Sequence, residues 1–147
     1  MSDKHESMIG IMKLYELRRE ETMRDARRWY ADFSPESFQD IVDTVKGEND
    51  PYFRMFTTYW DMAASFVNHG AIDEQMFNEV NVEHVLAFAK VEPFIAELRE
   101  LAKFPNLLGN LEQLVMRIPN VKETMANFRQ QAKIKNATQV EAAAKSA

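Results

Sequence analysis

The sequence has no cysteine and lacks the residue patterns from which common catalytic and phosphate-binding motifs are built. Without cysteine, the chain forms no disulfide, no thiolate metal site and no cysteine nucleophile. Its four glycines lie far apart, so there is no glycine-rich loop to hold a phosphate group. The Gly-x-Ser-x-Gly sequence that presents a nucleophilic serine is also absent. These absences favour a protein that is not an enzyme, and they predict no cofactor.

Long apolar runs are missing too. A helix that spans a bilayer needs roughly 20 mostly apolar residues. The best candidate, residues 52–67, is interrupted by Arg54 and Asp61. The N-terminal apolar run, residues 8–12, is too short for the hydrophobic region of a signal peptide, and no small-residue cleavage site follows it. We therefore expect a cytoplasmic protein with no membrane span.

The three histidines are not spaced as metal ligands are. His5, His69 and His84 form none of the Glu-x-x-His, His-Glu-x-x-His or His-x-His patterns that bring ligands to one helix face. Because His69 precedes Gly70, we expect it at the C-terminus of a helix. We expect His84, beside Glu83, at the surface. The sequence therefore predicts no metal site.

Charge is distributed unevenly along the chain. The 147 residues carry a formal net charge of −5. Residues 31–100 contain 4 basic and 14 acidic side chains, whereas residues 101–147 contain 7 basic and 3 acidic ones. The basic C-terminal segment could lie against the acidic middle of its own chain or against that of a neighbouring copy. The acidic total argues against nonspecific binding of nucleic acid, which normally uses a basic face.

Apolar residues recur every three or four positions, and no convincing stretch alternates with a period of two. This pattern predicts an all-α fold, a compact bundle of about six or seven helices. The first helix is expected over residues 7–31. We expect one helical domain over residues 1–133. Residues 134–147 contain good helix formers but little to bury, so we expect a frayed or disordered tail there.

Turn and cap residues predict several helix ends. Ser34 and Asp50 each precede a proline, the combination that starts a helix. Gly70 can adopt the left-handed conformation that closes a helix, and the Asp73 carboxylate can accept the first N–H groups of the next one. Pro93 is expected to kink or restart the helix that runs to about residue 103.

The abundant aromatic and methionine side chains can form a plain core or the walls of a ligand pocket. The pocket interpretation places a small molecule between the helix that ends near residue 69 and the helix over residues 85–103. Its candidate ligand-binding residues are four aromatic walls and a polar group at position 61 or 69: Tyr59, Trp60, Phe66, Phe88, Asp61 and His69. The competing interpretation packs the aromatic residues in the core, turns Asp61 to solvent and uses His69 as a helix cap.

A small basic patch is a candidate nucleic-acid or phosphate site. Arg24, Arg27 and Arg28 adjoin Trp29, which could combine charge with stacking. Nearby acids, including Asp25, dilute the positive field. We therefore expect no nucleic-acid partner.

Two segments, WDMAASFVNHGAIDEQMF and VEPFIAELRE, resemble an uncharacterised bacterial family of small helical domains of unknown function. The similarity covers about residues 8–105. It rests on an aromatic helix, Gly70, an acidic corner and a second long helix. The resemblance implies a helical fold and supplies no catalytic residues.

The function most consistent with these features is a non-enzymatic protein-interaction module that binds another protein or self-associates. The alternative is a small-molecule-binding helical protein with the aromatic pocket described above. An enzyme is a third possibility, for which a cavity joining Asp61, His69 and another carboxylate would be needed.

Overall fold

The computed structural model describes residues 3–146, which form nine α-helices and one short 3₁₀ helix and no strand. The all-α prediction is confirmed, although six or seven helices is too few. The elements are, in order, α1 (Lys4–Leu17), α2 (Glu21–Asp32), α3 (Phe38–Val45), α4 (Asp50–Asn68), α5 (Glu74–Val80), α6 (Glu83–Val91), the 3₁₀ helix (Glu92–Phe94), α7 (Ile95–Ala102), α8 (Gly109–Met116) and α9 (Val121–Ser146).

The single helix expected over residues 7–31 is wrong, because the chain breaks between α1 and α2. Glu20 is the N-cap of α2, and its carboxylate accepts hydrogen bonds from Thr22 N at 2.9 Å and Met23 N at 3.0 Å. These two N–H groups lower the pKa of Glu20. An acid in a charged stretch therefore acts as a cap.

The helix start expected at Ser34 is also displaced. Ser37 is the N-cap of α3, and Asp40 N donates to its hydroxyl at 3.3 Å. The Asp40 carboxylate in turn accepts from Glu36 N at 2.9 Å. These two bonds fix the start of α3 three residues later than expected, and Ser34 remains in the loop.

The corner between α4 and α5 forms as predicted. Gly70 has a φ of 79°, its N–H donates to Val67 O at 3.0 Å, and Ala71 N donates to Phe66 O at 2.9 Å. This is the Schellman arrangement that ends a helix at a left-handed glycine. Asp73 then caps α5 by accepting from Met76 N at 2.9 Å. Pro93 restarts the next long segment, because α6 ends at Val91 and α7 begins after the 3₁₀ turn.

Helix α4 lies at the centre of the core and packs mainly against α8 and α2. Helix α6 lies against α4 and is covered by α8 and α9. The residues that α4 buries share one face of the helix, and they are Phe53, Phe56, Thr57, Trp60, Ala63, Ala64 and Val67. Fully burying one large apolar side chain contributes roughly 1.5–3 kcal/mol, so this face holds the neighbouring helices together.

The basic C-terminal segment lies against its own chain. Lys135 pairs with Asp32 at 2.6 Å, and Lys133 lies 3.7 Å from Glu36. Asn136 Nδ2 also donates to Asp32 O at 2.8 Å. Helix α9 continues as one helix through Ser146, with its side chains from position 133 onward exposed except for the half-buried Asn136. The division into a domain and a fraying tail stays a prediction.

Candidate functional site

Two of the six predicted ligand-binding residues are part of the packed core. Trp60 is 1% exposed, and Phe88 is fully buried. Tyr59 is half-buried, its ring lies 5.0 Å from that of Trp60, and its hydroxyl donates to Leu14 O. These contacts tie the aromatic face of α4 to its neighbours.

The core interpretation expected Asp61 to face solvent, but its side chain is only partly exposed. It is half-buried, accepts a hydrogen bond from Leu111 N at 2.9 Å and has Asn110 Nδ2 3.5 Å away. Its charge therefore lies at the N-terminus of α8, where the unpaired N–H groups and the helix dipole favour a carboxylate. Asp61 also lines a cavity of about 370 Å³ between α4 and the loop before α8.

Phe66 and His69 lie at the far end of α4. Phe66 is 41% exposed, so it does not belong to the buried face on which the sequence pattern placed it. His69 is exposed and is the C-cap residue of α4, as predicted. It lies eight residues from Asp61, roughly 12 Å along the helix axis. The structure therefore does not bring the two candidate polar groups together, and the six-residue pocket stays a prediction.

His84 is 1% exposed, so the expectation of a surface histidine is wrong. Its ring lies 4.9 Å from that of Phe77 and 5.8 Å from that of Trp60, and its Nε2 is 2.9 Å from Asn78 Oδ1. Burial lowers the pKa of His84 to about 4. The available sequence signal was the four-residue spacing from His84 to Phe88, which puts both on one face of α6. Among residues 3–146, no group of three or more potential metal ligands gathers at His84 or elsewhere.

An apolar groove of about 410 Å³ lies between α1 and α5 and is exposed to solvent. Its most exposed side chains are Met12 and Val80, at 60% and 61%. We call it the α1–α5 groove, and its lining residues are Met8, Ile11, Met12, Tyr15, Arg18, Met76, Val80 and Asn81. Methionines occur at three of these positions, and their flexible thioether side chains adapt to irregular partners.

The attachment of α1 explains why these side chains point outward. The Asp73 N–H donates to Ser7 Oγ at 2.9 Å, and Leu14 is buried against the core. Between them, Gly10 approaches Ile72 closely, since a Cβ at this position would lie 3.4 Å from the Ile72 side chain. One face of α1 is therefore fixed to the core. The neighbouring face carries the i, i+3, i+4, i+7 stripe Met8, Ile11, Met12 and Tyr15, which is exposed except for the half-buried Ile11.

Basic side chains flank the two ends of this stripe. Exposed Lys4 precedes Met8 by one helical turn. At the other end, the Arg18 guanidinium lies 5.2 Å from the centre of the Tyr15 ring, and that of Arg19 lies 5.9 Å from the same ring. The α1–α5 groove therefore combines an apolar floor with one cationic lining residue, Arg18, while Lys4 and Arg19 flank the stripe outside the groove lining.

The arginine patch beside Trp29 is partly neutralised. Arg27 forms a bidentate salt bridge with Glu83, with nitrogen–oxygen distances of 2.6–3.0 Å. Arg28 Nη1 lies 3.2 Å from Asp25 Oδ1. The Trp29 ring stacks on Phe33 with centroids 4.8 Å apart. The patch therefore offers less free charge than its sequence suggests, and the expectation of no nucleic-acid partner stays a prediction.

Comparison with protein families gives a match over most of the chain. The model of a protein family described as a domain of unknown function, DUF4760, matches residues 6–118. This agrees with the resemblance found over residues 8–105. No curated protein and no solved structure matches the chain. Over residues 3–146, no helix is both long enough and apolar enough to cross a membrane.

Proposed function

The chain belongs to the DUF4760 family of unknown function, and from its geometry we propose that it is a non-enzymatic protein-interaction module. Its docking surface is the α1–α5 groove. The observation that carries this proposal is the stripe of large apolar side chains that α1 leaves open above the groove. The cytoplasmic location, the bacterial origin and the binding of a protein stay predictions.

The proposed partner is an amphipathic helix with acidic residues near both ends of its apolar stripe. A groove lined by an i, i+3, i+4, i+7 stripe fits the helix-in-groove mode of recognition. Lys4 at one end and Arg18 with Arg19 at the other favour acidic groups that flank the apolar contact. The charge pattern would also set the register of the bound helix.

A second copy of the chain fits this surface less well. If the stripes of two α1 helices packed antiparallel, Lys4 of one copy would approach Arg18 and Arg19 of the other. A parallel arrangement would place Arg18 beside Arg18. Like charges facing each other across an interface disfavour it, so the α1–α5 groove selects a different, acidic partner.

The expected affinity is moderate. The groove side chains are already partly covered in the free protein, so binding removes only part of their surface from water. Association also costs translational and rotational freedom, which favours a transient complex over an obligate one.

The alternative of a small-molecule pocket at Trp60 is not favoured. Two of its four expected walls, Trp60 and Phe88, are packed in the core. Asp61, one of its two expected polar groups, is bonded to Leu111 N at the start of α8.

Two designed helical peptides with the same leucine stripe test the proposal, one flanked by glutamates and one by lysines. We expect the glutamate peptide to bind with a dissociation constant in the micromolar range, measured by fluorescence anisotropy. Met12→Ser and Val80→Ser should each weaken binding about tenfold. Val140→Ser is the matched control, because Val140 is an exposed apolar residue of α9 outside the groove.

Equal binding of the two peptides would overturn the proposed partner chemistry. Equal loss in Val140→Ser and Met12→Ser would overturn the proposed surface. Sedimentation of the protein alone addresses the second copy, because a dimer dissociated by Met12→Ser would show that the groove binds its own chain.

A further inference from the structure

Another cavity, separate from the α1–α5 groove and from the cavity at Asp61, lies beneath α9. It has a volume of about 630 Å³, within the range typical of small-molecule sites. Three parts of the chain form its walls: the loop between α2 and α3, the end of α6 with the 3₁₀ helix, and the first half of α9. Its lining residues are Ser34, Pro35, Glu36, Lys90, Pro93, Phe94, Ala126, Arg129, Gln130 and Lys133.

The cavity is positive although the whole chain is acidic. Three cationic side chains, Lys90, Arg129 and Lys133, line it together with one acid, Glu36. The formal net charge of the protein is −5. A local excess of positive charge in a concave site raises the concentration of anions there.

Lys90 supplies charge at the base of the cavity while its own donors are occupied. It is 1% exposed, and its Nζ donates to Tyr30 O at 2.9 Å, to Ala31 O at 3.3 Å and to Phe33 O. An ammonium group has three N–H donors, so three carbonyls at the C-terminus of α2 use them all. Burial lowers the pKa of Lys90 to about 8, so the group remains mostly protonated at neutral pH.

Arg129 and Lys133 are the groups that can contact an anion. Arg129 Nη1 donates to Ala89 O at 2.8 Å, which fixes the guanidinium at the cavity wall. Since a guanidinium carries five N–H groups, this bond leaves donors for a carboxylate or phosphate. Lys133 lies 3.7 Å from Glu36, and both side chains are more than half exposed. Such an exposed pair is weak, so an anion can replace Glu36 as the partner of Lys133.

Most of the remaining lining is apolar. Pro35, Pro93, Phe94 and Ala126 lie beside the cations, together with the uncharged polar residues Ser34 and Gln130. Apolar walls with a few polar groups are typical of sites for organic ligands. The cavity therefore suits an anion that carries an apolar body.

We propose that this cavity binds a small organic anion, with its carboxylate or phosphate group on Arg129 and Lys133 and its apolar body against Phe94. Lys90 adds a buried positive charge behind this contact. Arg129 and Lys133 lie beyond residue 118, where the family match ends, so the site joins the family domain to the C-terminal helix.

To test this inference, the full chain is titrated with phenyl phosphate, phenylacetate and inorganic phosphate. Binding is measured from the backbone amide chemical shifts in NMR spectra. We expect saturable shifts of the amides of Ser34, Glu36 and Phe94, with at least one aromatic anion binding more tightly than inorganic phosphate. Comparison of phenyl phosphate with phenylacetate identifies which anionic group the site prefers.

The double variant Arg129→Gln, Lys133→Gln should weaken binding about tenfold or more. Its matched control is Lys122→Gln, Lys145→Gln, which removes the same charge from exposed positions of the same helix outside the cavity. Circular dichroism establishes that both variants are folded. Absence of saturable shifts with all three anions, or equal weakening in the control, would overturn the inference. Tighter binding of inorganic phosphate than of both aromatic anions would overturn the role given to Phe94.

Discussion

Helices α1 and α4 both contain many large apolar side chains and use them in opposite ways. Over its 19 residues, α4 buries seven side chains, including Phe53, Phe56 and Trp60. Over its 14 residues, α1 buries only Ser7 and Leu14. The difference arises from their surroundings, because α2, α6 and α8 cover α4 whereas α5 covers only one edge of α1. Apolar composition alone therefore does not decide which helix forms the core and which leaves apolar side chains exposed.

The largest expected effect is a difference in unfolding free energy between a variant of the buried face of α4 and a variant of the exposed stripe of α1. Phe56 is 1% exposed and stacks on Tyr30 with ring centroids 4.2 Å apart. Phe56→Ala should lower the free energy of unfolding by about 3–5 kcal/mol, because it leaves a cavity in the core. Met12→Ala should change it by less than about 0.5 kcal/mol, because Met12 is exposed. Urea unfolding measures the free energy of unfolding of both variants. A similar decrease in the two would show that the stripe of α1 is packed in the hydrophobic core.

The second prediction concerns a buried residue of the core, His84, which should make the stability of the protein depend on pH. An unfolded histidine titrates near 6.5, whereas burial lowers the pKa of His84 to about 4 in the folded protein. The unfolded chain therefore binds more protons between these pH values, and stability falls as the pH decreases from about 6.5 to about 4. The loss from this group should be about 3 kcal/mol.

Replacement of the imidazole gives the control for this pH effect. His84→Gln removes the titrating group and should lose that much less stability than the wild type over the same interval. Equally steep profiles for the two proteins would show that another group causes the acid sensitivity.

The smallest expected effect concerns the attachment of α1. Ser7→Ala removes the acceptor of the Asp73 N–H and should lower the free energy of unfolding by about 1 kcal/mol. Amide hydrogen exchange should become faster in α1 and stay unchanged in α4. Ser65→Ala in α4 is the control, because it changes the same side chain without touching this contact. Unchanged exchange in α1 would show that its other contacts, such as the buried Leu14 and the packing of Gly10 against Ile72, hold the helix without this hydrogen bond.

Local signals predicted several parts of the fold correctly. The corner at Gly70 and Asp73, the restart at Pro93 and the helix start beside Asp50 depend on conformations that particular residues favour wherever they occur. The break before α2 was not predicted, because an acid that caps a helix and an acid that faces solvent look alike in sequence. Ser37 was missed because Ser34, followed by proline, gave the more familiar signal.

The candidate sites were less predictable than the fold, since each joins distant segments. The three- and four-residue spacing of Met8, Met12 and Tyr15 puts these side chains on one face of a helix, but the opposite wall of the groove, formed by Met76 and Val80, depends on tertiary packing. The cavity beneath α9 likewise needs Lys90 beside residues about 40 positions later in the chain. Helix periodicity reports which face a residue occupies and not which element faces it.

The position of Arg18 makes the fluorescence of Trp60 sensitive to what happens in the α1–α5 groove. Its guanidinium lies 5.2 Å from the Tyr15 ring in the groove and 5.7 Å from the Trp60 ring in the core. A partner that draws this cation toward its own carboxylates changes the electric field at the indole of Trp60, and with it the emission wavelength. The other tryptophan, Trp29, stacks on Phe33 away from these contacts and serves as the reference fluorophore. Occupancy of the groove can therefore be followed in the unlabelled protein.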